Sequence, residues 1–348
     1  MMINSSGLLK FYWYAATVSS KLKTNVPYPI TIMELPLVIW KNKEGILSCI
    51  LDRCNHRNAP LSKGKIVSDC LVCPYHGWEY NGDGQCVKIP SEGPNIERIP
   101  NKKVDAFPII DKYGLIWIWP TLEKQPDKDP FPIPLINTQG WSQYYMTTNF
   151  ENNVTNLVEN FMDVPHTVYV HKGWFRETKK ICIKAKVERT KDSVLVSYDQ
   201  PNDTIGFFGW LVNPKRLPMK HTDNLYMPNV TRVDYTYGES ERAFIITSTC
   251  TPISPLKTKV FTLITYKLGW INLVAKQFLK MYTRKVIDQD VWIMKVHGQN
   301  LKTFRKIDYS STQVDFMHVY IESLRNHAQN PEMEFTPQPI VKQIEFWV

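Results

Sequence analysis

Two short stretches pair a thiol with an imidazole: Cys54-Asn55-His56 and Cys73-Pro74-Tyr75-His76, together C-x-H-x16-C-x2-H. Each is short enough to form one tight loop, and two such loops facing each other would hold a metal centre with a cysteine pair and a histidine pair. Zinc and a 2Fe-2S cluster both accept that donor set. A structural zinc site usually draws its cysteines from one knuckle and its histidines from another element. Here each loop supplies one of each, which suits a cluster with both cysteines on one iron and both histidines on the other. The spacing therefore favours the cluster, with zinc as the alternative. Pro60 and Pro74 stiffen the loops, Gly77 allows close backbone approach, and Trp78 can shield the centre from water. Cys49, Cys70 and Cys86 lie out of register and read as small buried thiols.

A second set of donors follows in Glu159-Asn160-Phe161-Met162-Asp163-Val164-Pro165-His166 and His171. Residues 151 to 163 lack a breaker and carry helical apolar spacing until Pro165 ends or kinks the helix. The break can direct His166 and His171 toward one point, whereas a straight helix would turn the second away. Two imidazoles and one distant carboxylate make a facial set that leaves metal positions open for dioxygen and substrate. On the helical stretch Lys285 to Gln299, Asp290 shares a stripe with Val286, Ile287, Ile293, Met294 and His297. A carboxylate inside an apolar stripe is costly unless paired or metal-bound, so Asp290 is the expected third ligand. Asp288 has cationic neighbours at i−4 and i−3 and reads as solvated surface, and His297 reads as a core or supporting histidine.

The run from Cys54-Asn55-His56-Arg57 to Cys73-Pro74-Tyr75-His76-Gly77-Trp78, with Gly82-Asp83-Gly84 and Ile89-Pro90 after it, resembles the cluster domain of Rieske non-heme iron oxygenases. Asn160, Asp163, His166 and His171 match the N-x2-D-x2-H-x4-H pattern of the catalytic domain of the same family. Ala59 and Tyr75 stand where respiratory Rieske proteins have a second cysteine pair, so the resemblance is to the oxygenase or ferredoxin type. It implies a Rieske 2Fe-2S cluster on Cys54, His56, Cys73 and His76, and a mononuclear non-heme Fe(II) on His166, His171 and Asp290. It implies that Asp163 bridges His166 to a cluster histidine of the neighbouring subunit in a head-to-tail homotrimer, and that Asn160 lies near the iron. The implied function is that of a terminal oxygenase, a monooxygenase or dioxygenase. Such an enzyme uses O2 and electrons from a separate NAD(P)H-dependent reductase, in some systems through a ferredoxin. The expected reaction is hydroxylation or oxidative demethylation of a small organic substrate rather than cis-dihydroxylation. The competing reading is a Rieske-type electron carrier without oxygenase activity. One departure is Gln289, where many relatives carry an acidic residue.

Positioning these groups calls for an α+β chain. Short β-rich runs (Pro29 to Met33, Leu37 to Trp40, Ile46 to Leu51, Leu115 to Trp119) separated by turn formers predict a small antiparallel β domain over 1–120. Pro120, Pro126, Pro130, Pro132 and Pro134 predict a stiff linker over 121–140. Beyond it, 141–348 is expected to form a catalytic domain. Alternating runs at Val194 to Tyr198, Thr231 to Tyr237, Ala243 to Thr249 and Lys259 to Tyr266 give a larger antiparallel sheet, and Gly269 to Phe304 a long helix. The last eighteen residues fit either a packed or a loose tail.

The chain has 348 residues, 43% of them hydrophobic and 22% charged, which excludes extended disorder and a disulfide-stapled miniature. Its net charge of +9 is spread over both halves, which suits docking to an acidic partner or substrate rather than a nucleic-acid footprint. No apolar run is long enough to span a membrane. The N-terminus has no clear targeting pattern, and seven irregularly spaced cysteines disfavour a secreted disulfide framework, so the expected compartment is the cytoplasm. No Gly-rich dinucleotide fingerprint is present, which assigns nicotinamide oxidation to another protein. Phe207, Phe208 and Trp210 read as core or pocket lining. His221, His318 and His327 stand alone in sequence and read as surface or hydrogen-bonded core.

Overall fold

Runs rich in Ile, Val, Leu and Trp, cut by turn residues every few positions, form short antiparallel strands in the first part of the chain. The computed structural model describes residues 9–93, 102–174, 181–199, 212–239, 242–305 and 309–347. The chain divides into two units, Lys10–Pro132 and one built chiefly on Ile133–Val348.

The first unit contains β1 (Tyr14–Val18), β2 (Tyr28–Ile32), β3 (Leu35–Lys41), β4 (Leu47–Leu51), β5 (Lys65–Val67), β6 (Cys70–Val72), β7 (Glu79–Tyr80), β8 (Cys86–Lys88), β9 (Ile109–Lys112) and β10 (Leu115–Ile118). They form three small sheets in the orders β1-β10-β9, β2-β3-β4 and β5-β6-β7-β8. Trp40, Leu61, Leu71 and Tyr80 are fully enclosed beneath the last of these and support the two loops that precede β5 and follow β6. The Pro-rich stretch, expected as a separate linker, is held on this unit as far as residue 132. The indole of Trp119 donates to the Lys124 carbonyl at 2.7 Å, and that of Trp13 to the Lys128 carbonyl at 2.7 Å.

The second unit is an eight-stranded antiparallel sheet with helices. Its strands are β11 (Ser142–Phe150), β12 (Cys182–Arg189), β13 (Ser193–Asp199), β14 (Met219–Tyr226), β15 (Val230–Tyr237), β16 (Arg242–Ser254), β17 (Lys257–Lys267) and β18 (Ile340–Trp347). Their order is β11-β17-β16-β15-β14-β13-β12-β18, so the closing stretch of the chain is a packed edge strand on β12. The helices are α1 (Val154–Met162), α2 (Thr167–Val170), α3 (Asn272–Phe304) and α4 (Phe316–Gln329). Helix α1 packs on β14, β15 and β16, α4 on β12 and β13, and α3 on β11. The α+β class and the succession of a small β unit and a larger sheet unit are as the sequence predicts.

Two local devices place the helices. Asn153 caps α1, its side-chain oxygen accepting from the Asn156 backbone N–H at 2.8 Å. Helix α3 runs 33 residues, about 50 Å at 1.5 Å per residue. It can lie directly on the entrance to α1 because of Gly298, where a Cβ would stand 2.0 Å from the Glu151 carbonyl oxygen. That approach brings the apolar stripe of α3, Asp290 included, over the break between α1 and α2.

Candidate metal centres and substrate cavity

The two Cys–His loops of the first unit are built alike. In each, the cysteine N–H donates to the carbonyl five residues on, Cys54 to Ala59 at 2.9 Å and Cys73 to Trp78 at 2.8 Å. In each, the cysteine carbonyl accepts from the residue four on, Asn58 at 2.8 Å and Gly77 at 3.1 Å. That fourth residue is left-handed in both, with φ of 59° at Asn58 and 72° at Gly77. Asn and Gly are the residue types that adopt this conformation at least cost.

The loops meet as the donor types require. Cys54 and Cys73 are buried next to each other, while the rings of His56 and His76 stand 4.6 Å apart, centre to centre. Burial pushes the Cys73 thiol up, while backbone N–H groups at Tyr75 and His76 act in the opposite direction by favouring the thiolate. The Tyr80 hydroxyl lies 3.2 Å from Cys54 Sγ, and Trp78 stacks on His56 at 4.6 Å. His56 Nδ1 is buried without a hydrogen-bond partner. A thiol pair beside an imidazole pair, with one ring nitrogen orphaned, fits the 2Fe-2S donor set rather than four thiols or an apolar core.

In the second unit α1 ends at Met162, and Pro165 turns the chain so that His166 precedes the single turn α2 and His171 follows it. Their Nε2 atoms stand 3.3 Å apart, and Asp290 Oδ1 lies 3.2 Å from that of His171 and 3.6 Å from that of His166. Donor atoms sharing one metal at ~2.1 Å sit about 3 to 3.5 Å from one another. The three residues are the only such group among the described residues. Burial lowers the proton affinity of His166, yet the carboxylates of Asp163 and Asp290 more than offset it and push it up to about 9. Burial likewise opposes the charged form of Asp290, and the two imidazoles hold it below the usual carboxylate range. Two imidazoles and one carboxylate converging on a single point make a donor set that suits a divalent metal ion.

Supporting residues set the orientation of both rings. Asp163 Oδ2 accepts from the His166 backbone N–H at 3.1 Å and lies 3.3 Å from Nδ1 of the same ring. Gln289 Oε1 is 3.0 Å from His171 Nδ1. Read from sequence as a departure, Gln289 thus does the work a metal histidine needs done at its far nitrogen. Asp288 instead pairs with Arg284 Nε at 2.9 Å and is more than half exposed. His297 lies 3.2 Å from the Asn152 amide and does not join the three ligands. His318 pairs with Glu159 at 2.9 Å, and His327 stacks on Phe335.

Asn160, Asp163, His166, His171 and Asp290 all open onto a cavity of about 110 Å³ between the helices and the sheet, otherwise walled largely by side chains such as Phe161, Val233, Phe244 and Ile264. Asn160 Oδ1 is buried there without a hydrogen-bond partner. His221 and Asp223 also line it, as a bonded pair. In the sequence His221 stands alone, although the two-residue strand period places Asp223 beside it. Phe207, Phe208 and Trp210 lie outside the described residues.

A small β unit with two thiol–imidazole loops, followed by a sheet unit with a two-histidine, one-carboxylate centre above an apolar cavity, defines a two-centre iron protein. Residues 12–108 match the Rieske [2Fe-2S] domain, and residues 150–320 match the vanillate O-demethylase oxygenase C-terminal domain. The chain belongs to the Rieske non-heme iron oxygenases, whose cofactors are a Rieske 2Fe-2S cluster and a mononuclear iron. It is 36% identical to the chloroplastic chlorophyllide a oxygenase of Chlamydomonas reinhardtii over 48% of this chain and 25% of that protein. It is 37% identical to the oxygenase component of dicamba O-demethylase from Stenotrophomonas maltophilia over 46% of this chain and 47% of that one. These matches thus span between a quarter and about half of the relatives' lengths. The fold is that of dicamba monooxygenase in its dicamba-bound crystal structure, with a TM-score of 0.80, 22% identity and coverage of 93% of this chain and 98% of that one. Among the described residues, no helix is long and apolar enough to cross a membrane.

Proposed function

We propose that the chain is the terminal oxygenase of a multicomponent system, taking electrons from a separate NAD(P)H-dependent reductase, directly or through a ferredoxin, and using O2 to hydroxylate or oxidatively demethylate a small organic substrate. The observation that carries this reading is the convergence of His166, His171 and Asp290 on one side of an apolar cavity. An electron carrier has no use for either.

In this reading Cys54, His56, Cys73 and His76 hold the 2Fe-2S cluster, and His166, His171 and Asp290 hold Fe(II). The cluster supplies electrons and the ferrous ion supplies O2 activation. The protein does the rest. The two imidazoles and the single carboxylate would hold the ion with three donors, and the cavity beside them has room for substrate and O2. Asp163 and Gln289 fix the ring planes, so that each Nε2 lone pair points inward. Phe161, Val233, Phe244 and Ile264 keep bulk water from the reacting carbon. Asn160 is placed to orient a bound molecule through its amide.

Asp163 keeps about a third of its side chain exposed and also lines a second cavity with Glu159, Pro165 and His297. That exposure supports the relay role, in which the carboxylate joins His166 to a cluster histidine of a neighbouring subunit in a homotrimer. The seven cysteines, all unpaired, suit a reducing compartment such as the cytoplasm.

Anaerobically purified protein should contain three irons and two labile sulfides per chain. Its reduced cluster should be reoxidised by O2 only when substrate is present. Two irons and two sulfides would identify the electron carrier, and stoichiometric zinc without sulfide would remove both readings.

A further inference from the structure

The cavity beside the two histidines and Asp290 contains polar side chains, but most of them are engaged within the protein. The hydroxyls of Thr167, Tyr282 and Thr283 donate to backbone carbonyls, those of Val164 at 2.7 Å, Trp174 at 2.6 Å and Leu279 at 2.5 Å. A carbonyl only accepts, so the direction of these three bonds is fixed and their hydrogens are not free for a ligand. The Ser248 and Thr262 hydroxyls lie 3.3 Å apart and satisfy each other. Away from the three iron ligands, two buried polar atoms of the lining have no partner, Asn160 Oδ1 and His221 Nδ1. An amide and an imidazole can each meet a neutral polar group of a ligand, but neither amounts to a site for a charge.

The charges of the lining are closed in the same way. No lysine or arginine is among the described residues that line the cavity, and its three carboxylates are each occupied. Asp163 faces His166, Asp290 faces His166 and His171, and Asp223 lies 2.9 Å from His221 Nε2 and accepts from the Tyr198 hydroxyl at 2.9 Å. A ferrous ion held by His166, His171 and Asp290 would have its two positive charges matched by Asp290 and Asp163. The balance holds whichever member of the His221–Asp223 pair carries the hydrogen between them, because neither placement leaves a net positive charge. A charged substrate would lose its water shell to a wall that offers no opposite charge, which disfavours anion and cation alike. Size narrows the choice further: the cavity measures about 110 Å³, whereas an engineered apolar cavity that takes benzene has about 150 Å³. One ring fills the space and a fused pair does not fit.

Resting on the oxygenase reading, we propose that the substrate is an uncharged molecule built on a single ring, selected by the charge balance and volume of the cavity. Carboxylates, sulfonates and amines of the same shape are rejected at the binding step, before oxygen is used.

The test is calorimetric binding to the anaerobic holoprotein with its cluster oxidised, so that no turnover occurs. Anisole is compared with three probes that each change one property: 4-methoxybenzoate adds a negative charge, 4-methoxybenzylammonium a positive one, and 2-methoxynaphthalene a second ring. Anisole should bind at least about ten-fold more tightly than each of the three. Ile246→Lys, on the β16 wall of the cavity, supplies the missing cation and should reverse the order of anisole and 4-methoxybenzoate, with iron and sulfide content unchanged. The proposal is overturned if the advantage of anisole over any of the three falls short of that margin in wild-type protein, if anisole does not bind saturably, or if folded Ile246→Lys keeps the wild-type order. The wild-type comparison decides even if the variant does not fold. A failure of the oxygenase reading shows separately, as two irons per chain or no substrate-dependent O2 uptake with the order of probe affinities intact.

Discussion

In the first unit the four residues proposed to hold the cluster fall between Cys54 and His76, and each loop is closed by its own backbone. In the second unit His166 and His171 flank one short turn, but the carboxylate they meet comes from residue 290 on a separate helix. Their geometry depends on the break at Pro165, on the approach of α3 over Gly298, and on Asp163 and Gln289 behind the rings. The lesson is that a centre written into one segment should tolerate distant change, whereas one assembled from separate helices should respond to substitutions that never touch the metal.

The sharpest test of that contrast removes the long-range ligand. Asp290→Ala should lose the mononuclear iron, lowering iron from three to two per chain, and reduce turnover to background while leaving the red-brown cluster and its sulfide unchanged. Asp288→Ala, two residues away and already paired with Arg284 on the surface, should change stability by no more than about 0.5 kcal/mol and leave turnover intact.

Next in size is Asp163→Asn. If Asp163 orients His166 and carries the electron path between subunits, rapid mixing should show substrate-dependent cluster oxidation slowed about 10- to 100-fold, with both centres loaded. An unchanged rate, or an active preparation that is monomeric by native mass measurement, would remove the relay. Gln289→Leu should weaken iron binding about ten-fold by releasing His171 Nδ1, and Gln289→Glu should restore it. A metal titration followed by iron analysis distinguishes these variants.

Gly298→Ala tests the helix approach. Its Cβ meets backbone rather than a yielding side chain, so α3 must shift, at a cost of about 1–3 kcal/mol in thermal or denaturant unfolding of the second unit. Iron occupancy should fall while the cluster stays. The smallest effects belong to the cluster loops. Gly77→Ala forces a Cβ at φ 72° and should cost about 1–2 kcal/mol in the first unit, whereas Asn58→Gly at the matching position should be within a few tenths of neutral.

Local centres are also the ones a sequence displays. Cys54, His56, Cys73 and His76 are visible because ligand and loop chemistry share a few residues, and His166 and His171 because Pro165 marks the break. Asp290 is visible through helical period, since a charge in an apolar stripe is conspicuous. Strand β14 is not, because its inward residues include His221 and Asp223, and a strand that buries polar side chains has no apolar alternation to follow. Gln289 reads as a substitution only until its amide is seen on His171. The prolines between Pro120 and Pro132 signal a linker, yet the carbonyls of Lys124 and Lys128 among them are what the indoles of Trp119 and Trp13 bind.

The placement of Asp290 after the whole sheet also has a bearing on biogenesis. The cluster ligands are complete once residue 76 has been synthesised, and the first unit once residue 132 has. At about 5–20 residues per second, the ribosome then needs about 8–30 s to reach residue 290. During that interval the nascent protein can receive its cluster while no iron pocket yet exists. Chain direction thereby permits an order of assembly in which the cluster enters first and the ferrous ion second, and a ribosome stalled before residue 290 would display the two Cys–His loops without the carboxylate of the second site.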